Sequence, residues 1–179
     1  MKSNDFLHLI ALLFIPFIGS SQFTFSGEIR PRMEYRHGFK TLASEDQAAA
    51  VFIDQRTRFS INHISNSIHY LVSLQDVRTW GNQPQLVVNG GTSTGLHQAW
   101  AKLFLNSNWG VKIGRQEIKY DDQRIFGSVN WAQQARSHDA FILMYQNDDF
   151  IGHVGLAFNQ DRPQLVGTNY TVPNNYKSL

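Results

Sequence analysis

From Phe23 to Arg36 the chain alternates without a break. Phe23, Phe25, Gly27, Ile29, Pro31, Met33 and Tyr35 are apolar or small, and Thr24, Ser26, Glu28, Arg30, Arg32, Glu34 and Arg36 between them are polar. A period of two sends these sets to opposite faces of a β-strand. The pattern returns in "VFIDQRTRFSINH", with Ile53, Gln55, Thr57, Phe59 and Ile61 opposite Asp54, Arg56, Arg58, Ser60 and Asn62. In "IHYLVSLQDVRTW", Ile68, Tyr70, Val72 and Leu74 oppose His69, Ser73 and Gln75, and a slip of register is expected near Asp76. "LHQAWAKLFL" and "WGVKIGRQEIKY" alternate as well. "ARSHDAFILMY" and "FIGHVGLAFNQ" complete seven expected strands. Each is about ten residues or more, against the five or six usual in soluble sheets.

The connections also alternate. Short turns fall near Ser65, Ser107 and Asp148, and long segments begin near His37, Gly81 and Asp121. Outer-membrane barrels keep this rhythm, with short turns at one end and long loops at the other. A tilted membrane-crossing strand needs about 9–11 residues. Phe23, Tyr35, Trp80, Trp109, Tyr120, Tyr145 and Phe150 fall near strand ends, where an interfacial girdle would sit. A soluble secreted sandwich or lipocalin-like barrel also alternates, with its apolar face inward. Strand length, loop rhythm and aromatic placement favour the membrane barrel. The fold class expected is therefore all-β, an antiparallel meander of long transmembrane strands. Seven strands are odd and fewer than the eight of the smallest single-chain barrels. The expectation is thus an N-terminal portion of a larger up-and-down barrel, the alternative being a barrel assembled from several chains.

The N-terminus supports an envelope destination. Lys2 precedes an apolar run from Phe6 to Ile18, and small residues Gly19, Ser20 and Ser21 close it. That order is a secretory signal peptide over residues 1–21, leaving 22–179 as the barrel domain. The run is too short for a spanning helix of roughly 20 residues. The chain has no cysteine, so disulfides and thiolate metal sites are excluded. A net charge of +2 does not call for nucleic acid.

What matters is where the charges sit. In a barrel the polar face lines the lumen. That face would carry Glu28, Arg30, Arg32, Glu34 and Arg36 of the first strand and Asp54, Arg56 and Arg58 of the second. Lys102 of the fourth and Arg136 of the sixth join them. Guanidinium stays charged at any relevant pH and holds carboxylate in a bidentate fork. Arginines in a confined aqueous pore therefore suit anions. Glu28, Glu34 and Asp54 would hold them in place. Pro31 has no N–H, so a bulge or a missing ladder bond is expected there.

Three later stretches, "LQDVRTWG" (74–81), "QAWAKL" (98–103) and "GVKIGRQEIKYDDQRIFGSVNWAQQARSHDAFILMY" (110–145), resemble the alginate-export family of bacterial outer-membrane barrels. The resemblance implies an 18-stranded, monomeric barrel with an arginine-rich lumen for an anionic polysaccharide. It adds Arg78, Arg115 and Arg124 to Arg30, Arg32, Arg56, Arg58 and Arg136 as lining residues. It makes Glu117 and Asp139 acidic partners, and Gly114 and Gly127 points of close backbone approach. The expected function is passage of an anionic saccharide through the bacterial outer membrane. The alternatives are a structural or adhesive barrel with a plugged lumen, or a secreted soluble β-domain. The expected partners are membrane lipid and the saccharide.

No enzyme is expected. His138 and Asp139 are neighbours on a strand and point to opposite faces. No serine is held by an evident base, the histidines lack metal-ligand spacing, and no cofactor is called for. The acidic pairs Asp121–Asp122 and Asp148–Asp149 read as solvated turn residues.

Overall fold

The structure is a computed structural model that describes residues 23–85, 93–160, 162–163 and 165–168. The expected signal peptide over 1–21, part of the second long connection and most of the C-terminal tail lie outside the described residues. Seven strands form one antiparallel sheet: β1 (Phe23–Arg36), β2 (Ala50–Ile64), β3 (Ile68–Thr79), β4 (Thr94–Phe104), β5 (Trp109–Gln116), β6 (His138–Gln146) and β7 (Ile151–Leu156). Spatial order follows chain order throughout, so the sheet is a pure meander. Among the described residues β1 and β7 each have a neighbour on one side only. The seven strands match the alternation, but β5, β6 and β7 have 8, 9 and 6 residues, shorter than the sequence suggests. The chain leaves the sheet after Gln116, and Arg136 precedes β6 rather than lying on it.

Each short turn is closed by a side chain standing in for the ladder. Asn106 Oδ1 accepts from the N–H groups of Asn108 and Trp109, both at 2.9 Å. Asn147 Oδ1 does the same for Asp149 and Phe150 at 3.1 and 2.7 Å. The Ser65 hydroxyl meets the N–H of Ile68 at 3.2 Å. These turn residues bond a backbone two or three positions on, which fixes a tight reversal without a long loop.

The register sorts the faces. Phe25, Ile61 and Val72 share one face, as do Gly27, Phe59 and Leu74. On the other, Glu28 opposes Arg58 and Arg30 opposes Arg56. The ladder runs unbroken through Pro31↔Gln55, so the bulge expected at Pro31 is not there. A strand with a single neighbour tolerates a missing donor on its free side. The irregularity of the sheet sits instead at Ser73/Leu74, where Ser73 pairs with Gln98 and Leu74 with Leu96. His97 is thus an extra residue in β4, a bulge that turns its ring to the inner face.

The burial is inside out. Ile29 (74%), Met33 (69%) and Phe25 (62%) are exposed, while Arg56 (1%), Gln116 (0%) and His97 (5%) are buried. A contiguous apolar exterior of this extent is disfavoured in water and suited to lipid. At the turn end Phe23, His63 and Tyr70 cluster, as do Trp109, Tyr145 and Phe150. Tyr35 and Trp80 are exposed at the loop end. Tyr120 departs from the girdle, because its ring contacts Phe126 and His153 on the inner side.

Gly114 is the tightest backbone approach, with φ +117° on β5. A Cβ there would collide with the Ala99 carbonyl oxygen and crowd Trp100 Cα at 3.0 Å. Gly114→Val is expected to lower stability by about 2–4 kcal/mol, from backbone strain and overpacking together. Gly155→Ala, where the space is open, is expected to change it by under about 0.5 kcal/mol. Urea midpoints of the full chain in detergent micelles check both.

Candidate functional site

The site is the inner face of β1–β3 and the segment 117–137 folded against it. That segment connects β5 to β6, and its middle returns to β1 and β2, with bonds spanning 103 and 74 residues. Arg30 Nε and Nη2 both donate to Gln133 Oε1, at 3.0 and 2.8 Å. Its Nη1 donates to the Asn130 carbonyl at 2.7 Å and its Nη2 to that of Ala132 at 2.9 Å. Arg32 Nη1 donates to the Trp131 carbonyl at 2.7 Å. Arg56 Nη1 donates to Asn130 Oδ1 at 2.9 Å, and Arg58 Nη1 reaches the same oxygen at 3.3 Å. Gln75 Nε2 completes the set on the Gln134 carbonyl at 2.9 Å. In return Gln133 Nε2 donates to the Asp54 carbonyl at 3.1 Å.

The chemistry explains the choice of residue. An irregular segment brought inside carries carbonyls that need donors. A guanidinium has five N–H groups in a rigid plane and can serve several carbonyls at once. The segment is also strained: Val129 and Ala135, flanking the held residues, have φ of 49° and 53°. A β-branched residue in the left-handed region persists only where surrounding contacts over-determine it.

A second anchor holds the two ends of the segment. His97 Nε2 donates to Glu117 Oε1 at 2.9 Å, and His97 Nδ1 and the Ser137 hydroxyl share a hydrogen bond at 3.2 Å. One ring thus ties the first residue of the connection to the last. His97 is 5% exposed, so this Ser–His–Glu contact is a buried staple rather than an accessible relay. Lys119 Nζ adds a contact to Glu117 Oε2 at 2.7 Å. Burial pushes the Glu117 carboxyl up, but the bonds from His97 and Lys119 outweigh it and bring its pKa down to about 2.

The residues named from sequence divide. Arg30, Arg32, Arg56, Arg58, Glu28, Asp54 and Lys102 lie on the inner face. Glu28 holds Arg56 at 2.5 Å, and Glu34 holds both Arg32 and Arg36 at 2.5 Å. Asp54 accepts from Thr79 Oγ1 at 2.7 Å rather than from an arginine. Glu117 pairs with His97 and Lys119 rather than with an arginine.

Three residues are on the other side. Arg78 pairs across β2 with Gln55 and shares the outer face with Leu74 and Val72. Its partner is Asp76 at 2.5 Å. Arg115 and Asp139 oppose one another beside Ile113↔Phe141, also outward, and meet at 2.9 Å. Arg78, Arg115 and Asp139 therefore do not line the inner face. Strand parity puts them there, and each lies near the loop end of its strand, where a polar exterior is tolerated. Arg124 is exposed in the connecting segment and pairs with Asp122 at 2.6 Å. Arg136 is exposed in the same segment, its N–H donating to the Ser128 carbonyl at 2.7 Å. Gly127 is a close approach as expected, since a Cβ there would meet Gln123 Cβ at 2.8 Å.

Sequence reasoning missed Asn130, Gln133, His97 and Lys112. Lys112 opposes Lys102 in register and lies on the inner face. It was legible as the polar position of "WGVKIG". The other three depend on a loop path and a bulge that alternation does not encode.

An antiparallel meander with an apolar exterior and buried polar groups within is the wall of an outer-membrane β-barrel. The chain belongs to the alginate-export family, whose sequence profile, described as Alginate export, matches residues 21–155. Among curated proteins none matches it. Membership places the chain among outer-membrane transport barrels.

The depressed Glu117 pKa sets a direction in acid. Its contribution to holding the 117–137 segment is complete above the ordinary carboxyl value of 4.5 and is lost as pH falls toward about 2. Protease nicking within this segment is expected to rise across that window. Glu117→Gln is expected to be nicked more at neutral pH and to lose the step. A native chain whose nicking is flat from pH 5 to about 2 contradicts this linkage.

Proposed function

We propose that this chain forms part of the wall of an outer-membrane channel that passes an anionic saccharide, with the 117–137 segment narrowing the lumen. The observation that carries the reading is the imbalance on the inner face. Arg30, Arg32, Arg36, Arg56, Arg58, Lys102 and Lys112 face only Glu28, Glu34 and Asp54 on the strands. Carbonyl contacts orient guanidinium charges but do not cancel them. A low-dielectric wall focuses the remaining positive potential into the lumen. Lipid contacts the apolar exterior. Further strands cover the two free edges, because unpaired backbone is not tolerated in hydrocarbon. The closed barrel acts as a monomer in the bacterial outer membrane and performs no catalysis.

One observation favours a second reading, a barrel with a plugged lumen. The four arginines best placed to meet a ligand, Arg30, Arg32, Arg56 and Arg58, all donate to the inward segment.

Planar bilayers separate the two. Under a salt gradient the channel is expected to give an anion-selective reversal potential. Replacing residues 129–135 by a Gly/Ser linker is expected to raise conductance at least about twofold. Cation selectivity in the native channel sinks the anionic reading. No conductance from the native protein, with conductance appearing only in the linker variant, supports the plug.

Arg56→Ala removes a guanidinium that is 1% exposed and ion-paired to Glu28. It is expected to cost about 1–3 kcal/mol in folded stability, because the acceptors of the inward segment lose a buried charged donor. Equilibrium urea unfolding in micelles measures it, and Arg56→Lys is expected to recover only part, lacking the fork.

A further inference from the structure

Three of the four tryptophans are engaged by the protein itself. Trp80 Nε1 donates to Gln55 Oε1 and Trp100 Nε1 to Gln98 Oε1, each at 3.0 Å. The Trp109 ring lies against Tyr145, with centroids 4.8 Å apart. Trp131 differs. It is 77% exposed, and among the described residues its indole has no hydrogen bond and no ring or cation contact. Yet its backbone is pinned on both sides. Arg30 takes the carbonyls of Asn130 and Ala132, at 2.7 and 2.9 Å, and Arg32 takes that of Trp131 at 2.7 Å. The Ala132 N–H donates to the Val129 carbonyl at 3.0 Å. The next two residues, Ala132 and Gln133, are buried.

Three consecutive carbonyls are thus served from the wall, and the Trp131 ring is left on the lumenal side. Arg30 and Arg56, which hold this stretch, lie midway along β1 and β2. The ring therefore stands within the depth of the pore rather than above its rim. A large apolar ring kept in water is unfavourable by itself. Here charged donors and the left-handed backbone of Val129 hold it there. A surface fixed in this way meets a partner without first losing rotamer and loop freedom. Indole offers a flat apolar face with one N–H at its edge. A pyranose ring is its complement, with C–H groups on its faces and hydroxyls around its rim. The match requires no charge on the sugar.

We propose that Trp131 is a stacking platform in the lumen, taking the C–H face of one pyranose ring of the passing saccharide while its N–H donates to a hydroxyl of that sugar. The proposal rests on the transport reading above and adds to it a contact that reads ring shape rather than charge. The arginines of β1 are positioning residues for this contact, because they fix the backbone from which the indole projects.

The test is calorimetric titration of the full chain, in zwitterionic micelles without sugar head groups, with neutral cellotetraose and with tetramannuronate. Both are expected to bind, and the cellotetraose affinity is expected to stay flat as salt rises, since stacking carries no charge to screen. Trp131→Ala is expected to weaken cellotetraose binding at least about fivefold, and Trp131→Phe to stay within about threefold of native. Ile125→Ala, on the same segment and 78% exposed, is expected to bind as native. Urea midpoints of Trp131→Ala are expected to match native, because an exposed ring contributes little to folding. A clear fall in that midpoint shows the ring packed against the protein and overturns the platform. So does native-like cellotetraose affinity in Trp131→Ala, or an equal loss in Ile125→Ala. A native chain that binds tetramannuronate but not cellotetraose also overturns the platform and leaves the transport reading standing. A native chain that binds neither sugar overturns the saccharide reading itself.

Discussion

The inner architecture depends on guanidinium groups of β1 and β2 donating to backbone carbonyls of residues 130–132 and to the side chains of Asn130 and Gln133. An irregular segment inside a barrel is unfavourable unless each inward carbonyl finds a donor. Arg30 alone serves three residues of the segment. With that clamp in place, Val129 and Ala135 can be held in left-handed backbone on either side of it. The clamp and the His97 staple are independent anchors. One fixes the middle of the connection, and the other joins its two ends.

The clamp also changes what the arginines can do. Their donors point at the protein, at carbonyls and amide oxygens of the inward segment. A planar fork with five N–H donors suits several fixed acceptors at once. Lys102 and Lys112 instead rest against the rings of Phe104 and Trp100.

Outward, the same alternation gives an apolar band interrupted by charge only near the loop end. Asp76–Arg78 and Arg115–Asp139 are paired there, so little net charge is presented. Parity alone was enough to place Arg78 outward, since it is an even number of residues from Leu74 and Val72 on β3. Resemblance to a family motif assigned it to the lumen, and the register corrects that. Arg136 illustrates a different limit. Its strand was read too long: "ARSHDAFILMY" starts at Ala135, and the sheet takes the chain up only at His138.

Strand number, the meander, the turn positions and the faces of β1, β2 and β4 were all determined by the sequence. Each rests on local rules, a period of two and turn residues that bond their own neighbours. The path of 117–137 was decided only by the tertiary structure. Its contacts join residues about a hundred positions apart, and nothing in the spacing of Asn130 or Gln133 announces an arginine partner. The bulge that turns His97 inward is likewise a property of two paired strands, not of one. Tertiary contact therefore decided which of the inner-face arginines hold the connecting segment in place.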